Sequence, residues 1–487
     1  MTAERTRSWA FALVSVSGVM LTLDVTVVNV ALPAIGTELS ASAEVLPWTV
    51  SAYSLAFGAL LLTAGTWSDA AGHRRVFTTG MAVFTLASLA CAAAPTIGTL
   101  IAARAAQGAG GALAFAPALA LLAATHEGAA RRSAIASFAA LSSLAGALGP
   151  VLGGGVVAAL GWEWIFLLNV PVGGFVLVAA ALVLPRSRPD PRTTPVDVSG
   201  AALAVATLLA LHTALATGSS LGWTSTVTVG AGVAFGVLLP VFVRGQRRPR
   251  ALLDVGAVDG AAFTAAAALT FTGRMASLGT LAFLTLWLQD TAAASPWRAG
   301  LLLLPLTGSL ALAGLLTASV QARLGPARTV ASGFGLQAAG LVVLAVAAGT
   351  SSVVWACGGM TLLGAGTALV FPPLLTVTVS VVPPARTGVA SGLTNACSPL
   401  GTATGVAVFG ALFAALGGTG VAFTGVCLAA ATVCVVSVAL ARRLLPGDVP
   451  GEPSSTRPTA VRAADAAGPP GAPPSTQADL RRSSQIR

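Results

Sequence analysis

Apolar runs separated by short polar breaks recur along nearly the whole chain. A run of about 20 apolar residues lets a helix cross the ~30 Å hydrocarbon core of a bilayer. The runs fall at 9–32, 46–66, 76–94, 98–124, 133–158, 162–184, 198–217, 226–243, 259–288, 299–320, 329–348, 352–379, 388–414 and 421–440, which predicts fourteen transmembrane helices. The short alternating segments of a membrane β-barrel are absent. The first run follows Arg5 and Arg7 in the manner of a signal peptide. It is too long for one and carries Asp24, so it reads as an uncleaved first helix.

The breaks set the orientation. With the N-terminus in the cytoplasm, the inside breaks hold Arg74 and Arg75; Arg131 and Arg132; Arg186, Arg188 and Arg192; and Arg244, Arg247, Arg248 and Arg250. Arg323, Arg328, Arg386 and every arginine from Arg442 onward also fall inside. The outside breaks hold only Arg298, beside Glu38, Glu44, Glu163 and Asp290, while Arg104 and Arg274 lie within runs. Loop arginines concentrate on the cytoplasmic side, so an even helix count puts both termini there. The proline-rich break 185–197 ends a six-helix bundle at 1–184 and opens a linker with two inserted helices at 185–258. A second bundle spans 259–440, and 441–487, rich in Pro, Ala, Ser and Gly, reads as a disordered cytoplasmic tail.

Composition narrows the chemistry. Of 487 residues, 55% are hydrophobic and 9% charged, against roughly 25% charged in a soluble domain. The net charge of +10 comes from 26 basic residues, all arginine, and their position in the breaks makes it a topology signal; no nucleic-acid partner is expected. Without lysine, a P-loop ATP site and a pyridoxal Schiff base are both excluded. His73, His126 and His212 are too scattered for a metal site. Cys91, Cys357, Cys397, Cys427 and Cys434 sit in apolar runs without metal or disulfide spacing. No cofactor, metal or ATP is expected, which leaves an ion gradient as the energy source for an active membrane machine. The expected partners are the bilayer, protons and a small molecule, and the expected state is a monomer.

The chain also repeats itself. Residues 108–119 (GAGGALAFAPAL) and 364–375 (GAGTALVFPPLL) agree at eight of twelve positions, at an offset of 256. Gly72-His-Arg-Arg-Val is echoed by Gly325-Pro-Ala-Arg-Thr-Val, and Pro150 by Pro399, in the same order. The first six predicted helices thus correspond to the last six. Two parallel six-helix halves with a site at their interface are the architecture of the major facilitator transporters.

Four motifs carry a closer resemblance. Between the second and third runs lies Gly65-Thr-Trp-Ser-Asp69-Ala-Ala-Gly72-His-Arg74-Arg75. The first run holds Leu23-Asp24-Val-Thr-Val-Val-Asn29-Val-Ala-Leu-Pro33, and the fourth Arg104-Ala-Ala-Gln107-Gly108. The fifth holds Gly146-Ala-Leu-Gly149-Pro150-Val-Leu-Gly153-Gly154-Gly155, and the sixth opens Trp162-Glu163-Trp164-Ile-Phe-Leu-Leu-Asn169-Val-Pro171. Together these closely resemble the fourteen-helix drug:proton antiporters of the major facilitator superfamily. The departures are Ala70 and His73 in place of two basic loop residues, and Glu163 in place of arginine. The second half matches through the repeat and through Arg386-Thr-Gly388…Gly392-Leu-Thr-Asn395. The resemblance implies an all-α fold of two six-helix halves plus two inserted helices. It also implies that the fifth-run glycines and Pro150 form the family's antiporter motif.

The residues carry their own physics. A charge near the bilayer centre costs about 2.5–3.5 kcal/mol on insertion scales, so it normally faces a cavity or a partner. Asp24 and Arg104 fall at matching depth in the outer half, on the order of 5–8 Å from the midplane at ~1.5 Å per residue. Either Asp24 takes and releases a proton while Arg104 controls how readily it does so, or the two form a structural ion pair. In the loop, Asp69 can accept hydrogen bonds from helix-end amides, and Arg74 and Arg75 hold it to the cytoplasmic side. Gly149-x-x-x-Gly153 permits close helix contact, and Pro150 invites a bend suited to a gate. Arg274, in the middle of the ninth run, leaves a cavity positive if Asp24 and Arg104 neutralise each other. It either recognises an anionic or neutral amphiphile, or it pairs with Asp24 or snorkels. Asn29, Gln107, Gln337 and Asn395 either line the substrate cavity or stabilise helix contacts.

The leading expectation is a proton-coupled antiporter, not an enzyme, that exports an amphipathic small molecule by alternating access across a bacterial cell membrane. The Ala/Gly/Arg bias without lysine looks like translation of a GC-rich genome, and an antibiotic self-resistance exporter fits it. An importing symporter is the alternative, and a membrane-embedded enzyme is more remote because no catalytic cluster is visible.

Overall fold

Wherever it is described, the chain is helix joined by short turns. The computed structural model describes residues 3–42, 45–184, 197–246, 260–290, 295–382, 387–418 and 420–445. The helices in the first half are α1 (Ala3–Glu38), α2 (Trp48–Ala71), α3 (His73–Ala92), α4 (Ile97–Thr125), α5 (Gly128–Leu160), α6 (Trp164–Leu167) and α7 (Asn169–Val183). Next come α8 (Val198–Ser220) and α9 (Thr226–Gly245). The last set is α10 (Ala261–Asp290), α11 (Pro296–Leu302), α12 (Leu304–Leu324), α13 (Pro326–Thr350), α14 (Val353–Ser380), α15 (Thr387–Ala415) and α16 (Gly420–Leu444). Among the described residues, eleven helical stretches are long and apolar enough to cross a membrane, and two bent pairs raise the count to thirteen. The predicted run 198–217 lies in α8, where the apolar stretch is the shorter Ala202–Leu215. Arg386, the break 185–196 and the tail from 446 lie outside the described residues.

Two predicted helices are each split in two, and each split has a proline behind it. Pro171 has no N–H to offer Leu167, and the chain breaks at Leu168; Pro305 follows the break at Leu303. The 45° bend in α5, between 133–146 and 148–160, has the same origin, because Pro150 cannot bond to Gly146 and its ring crowds that carbonyl. Polar side chains inside α1 turn back on their own backbone: Ser17, Thr22, Thr26 and Asn29 all donate to carbonyls three or four residues earlier. That keeps their donors satisfied where a bilayer offers no water.

The repeat is visible in the packing. α1 packs on α4, α5 and α7 as α10 packs on α14, α15 and α16, and α3 packs on α4 as α13 packs on α14. The halves meet through α2 with α15, α5 with α11 and α12, and α1 with α10. Among the described residues their apolar cores merge along the C-terminal parts of α1 and α10 and at mid-bundle. Val30 joins the second-half core; Ala282 and Val406 join the core of Val28, Leu32 and Ile35; and Ala396 meets Leu61 and Ala112. Toward the N-terminal ends of α1 and α10 the cores are separate, one around Leu13, Phe77 and Leu121, the other around Phe263 and Ala390. α8 lies against both α2 and α15, and α9 packs on α8.

Candidate functional site

Asp24 is buried on α1 at 4% exposure, and both of its oxygens are held. Arg104 Nη1 on α4 donates to Oδ2 at 2.5 Å, closing the ion pair that depth matching permits. Gln107 Nε2 and Asn169 Nδ2 donate to Oδ1 at 2.8 and 2.9 Å. Arg104 is itself fixed: Nε donates to the Thr49 carbonyl at 2.9 Å, Nη1 also reaches Gln107 Oε1, and the guanidinium lies 4.4 Å from the Tyr53 ring centre. Ser88 Oγ accepts from Gln107 at 2.8 Å. One hydrogen-bonded cluster thus joins α1, α2, α3, α4 and α7. Charge-assisted bonds of this kind are roughly twice as strong as neutral ones, and low dielectric strengthens them further. Asn169, Ser88, Tyr53 and the Thr49 carbonyl carry no charge signature in the sequence. Asn169 sits inside a quoted motif, and Tyr53 is the chain's one tyrosine.

In the loop between α2 and α3, Gly72 has φ +95°, which only glycine adopts without strain. Gly65, by contrast, sits mid-helix beside open space and permits no close approach. Asp69 faces His73 Nδ1 at 3.9 Å, and Ser68 Oγ lies 2.7 Å from the same nitrogen. Arg74 reaches across to α7, donating to the Leu184 carbonyl at 3.0 Å and to the Ala181 carbonyl. It thereby satisfies carbonyls at the end of that helix, where positive charge is favourable. Arg75 is exposed.

The α5 glycines face two helices. A methyl group at Gly146 would sit 3.3 Å from Thr22 Cγ2, at Gly149 it would collide with Thr26 Oγ1, and at Gly153 it would lie 2.7 Å from Val27 Cγ1, all on α1. At Gly154 it would collide with the Pro296 carbonyl of α11, and at Gly300 it would lie 2.5 Å from the carbonyl of Pro150. One stripe therefore holds α5 to its own half and the other to the opposite half. On α15, Gly401 and Gly405 approach Phe271 and Met275 of α10 in the same way.

Arg274 does not pair with Asp24, whose oxygens are taken. It is half-buried, its Nε has no hydrogen-bond partner, and its guanidinium lies 3.6 Å from the ring centre of Phe371 on α14. The remaining candidates do not converge on it. Gln337 is fully buried, donating to Thr367 and accepting from Cys434, so its amide joins α13, α14 and α16. Asn29 bonds to its own helix and leaves Oδ1 without a partner, and Asn395 is exposed. Among the described residues, no group of three His, Cys, Asp or Glu side chains could hold a metal.

The profile of the Major Facilitator Superfamily matches residues 14–406. The chain is 33% identical over 398 residues to the Multidrug resistance protein Stp of Mycobacterium tuberculosis, covering 81% of this chain and 74% of that protein. It is 35% identical over 397 residues to the Methylenomycin A resistance protein of Streptomyces coelicolor, covering 80% and 82%. It is 32% identical over 412 residues to the Tetracenomycin C resistance and export protein of Streptomyces glaucescens, covering 84% and 77%. The crystal structure of a D-xylose–proton symporter superposes with a TM-score of 0.65 at 14% identity, over 90% of this chain and 98% of that one, which is a likeness of fold. The profile, the relatives and the all-helical fold agree: this chain is a multi-pass membrane transporter and belongs to the major facilitator superfamily.

Proposed function

We propose that the protein is a proton-coupled antiporter that exports an amphipathic small molecule, of the kind that resistance relatives are named for, by alternating access between its two halves. The observation that carries this reading is the closed Asp24 cluster. Protonating Asp24 removes the partner of a buried guanidinium, and an unpaired buried charge is costly. Proton uptake therefore requires the cluster to rearrange, which ties a proton to the movement of α1 against α4 and α7. The cluster begins one turn below Val28, at the edge of the shared core that gathers along the C-terminal parts of α1 and α10. A proton bound there acts where the seal between the halves opens or closes.

With the N-terminus cytoplasmic, the merged cores lie toward the outside and the separated cores toward the cytoplasm, so the conformation reads as inward-facing. In the same reading α8 supplies the fourteenth span, with both termini cytoplasmic, the N-terminal bundle at 1–184, the C-terminal bundle at 259–440, and α8 and α9 between them. The α5 glycines and Pro150 form a gate joint, and the chain works as a monomer. The test is gradient-driven uptake of resistance-type drugs into inside-out vesicles. Asp24→Asn should insert normally and lose all dependence on the proton gradient; full gradient-driven flux by that variant would remove Asp24 from the mechanism.

A further inference from the structure

The first-half charge cluster is closed, but its counterpart in the second half is open. Arg274 stands 250 residues after Asp24, within the spread of the repeat offsets, halfway along α10. The positions that correspond to Arg104 and Gln107, at the offset of 256, are Met360 and Leu363, both buried and apolar. No first-half solution to the charge is therefore reproduced. Between residues 260 and 445 the sequence holds a single acid, Asp290, at the last position of α10. It lies 16 residues beyond Arg274, about 24 Å along the helix axis at 1.5 Å per residue. Across the bundle, Asp24 is occupied by Arg104, Gln107 and Asn169. Among the described residues Arg274 has no ion pair, and its Nε, enclosed, has no hydrogen bond.

We propose that Arg274 and Phe371 form the seat of the transported molecule's acidic group, so that the substrate is an amphipathic carboxylate. This inference rests on the transport reading and adds the substrate class to it. An arginine stays protonated, so its charge needs a counterion at mid-membrane depth. A lipid headgroup stays at the bilayer surface, which leaves a solute that enters between the halves. Phe371 covers one face of the guanidinium, and this contact holds the planar group in place. The rim of N–H donors is then free for the bidentate geometry that fits a carboxylate. The Thr285 hydroxyl bonds to the Asn29 carbonyl where α1 meets α10, so Arg274 lies three turns away from that seal, toward the end where the cores separate. A cation is disfavoured at the same place, because like charges repel strongly in low dielectric.

The experiment measures binding to the full chain in phosphatidylcholine nanodiscs without a proton gradient. The probes are pyrenebutyrate, the matching pyrenebutanol and the matching trimethylammonium derivative. The wild type should bind the acid about tenfold or more tightly than the alcohol, the scale of a charge-assisted bidentate contact, and the cation more weakly than either. Arg274→Gln should abolish the preference by lowering acid affinity far more than alcohol affinity, because the apolar contact does not depend on the charge. Arg274→Lys should keep part of the preference, and it carries the test if Arg274→Gln does not fold. Equal affinity for acid and alcohol, a preference for the cation, no binding of the acid, or equal losses of acid and alcohol in Arg274→Gln would each overturn the proposal. Binding is read without a gradient, so failure of proton coupling leaves this result standing, and the reverse also holds.

Discussion

Asn169 donates to Asp24 at 2.9 Å across 145 residues of chain, and so holds the start of α7 to the middle of α1. Hydrogen bonds to charged groups contribute about 1.5–3 kcal/mol. Asn169→Leu should lower stability in detergent by about that much and slow gradient-driven flux. Wild-type unfolding and flux in this variant would show that Asp24 is held well enough by Arg104 and Gln107 alone.

Arg104 is the charge that balances Asp24, and removing one member of a buried pair strands the other. Arg104→Gln should cost about 3–5 kcal/mol in an unfolding measurement, more than Asn169→Leu. The double variant Asp24→Asn/Arg104→Gln should recover much of that loss, because no buried charge is left, yet remain uncoupled to the gradient. Additive losses in this double-mutant cycle would mean that the pair does not act as a unit.

Gly154 faces the backbone of α11 rather than a side chain that can move aside. Gly154→Val should push α5 from α11 and loosen the contact between halves near Thr285, which is fully buried. Labelling of Thr285→Cys by an impermeant thiol reagent, above the background of the five native cysteines, should therefore rise in the Gly154→Val protein. Unchanged labelling with normal flux would mean that this contact does not seal the bundle.

Arg74 and Arg75 are adjacent and differ in what they touch. Arg74→Ala loses two bonds to the end of α7 and should cost about 1 kcal/mol with reduced flux. Arg75 is exposed, so Arg75→Ala should change stability by less than about 0.5 kcal/mol. Equal effects in a paired thermal-shift and transport assay would assign both residues to topology alone.

The sequence determined the helical membrane class, nearly every helix position, the repeat and the superfamily, because each rests on local chemistry. A span needs its length of apolar residues whatever its neighbours do, and an intramembrane Asp or Arg is costly enough to stand out in any reading. The breaks at Leu168 and Leu303 lie inside continuous hydropathic runs, where Pro171 and Pro305 mark a break or a mere bend equally well and only the backbone shows which. Only the tertiary structure decided which charges meet. Asp24 and Arg104 can be matched by depth, but helix rotation and neighbour choice bring in Asn169, Ser88 and Tyr53, and these follow from packing between segments far apart in the chain. The same packing separates two arginines that look alike in sequence. Arg104 is enclosed by Asp24 of α1, Thr49 and Tyr53 of α2 and Phe166 of α6, whereas Arg274, in a half with one distant acid, stacks on Phe371 and has no ion pair among the described residues. Burial makes a charge costly, and only the fold decides whether a partner stands within hydrogen-bond reach.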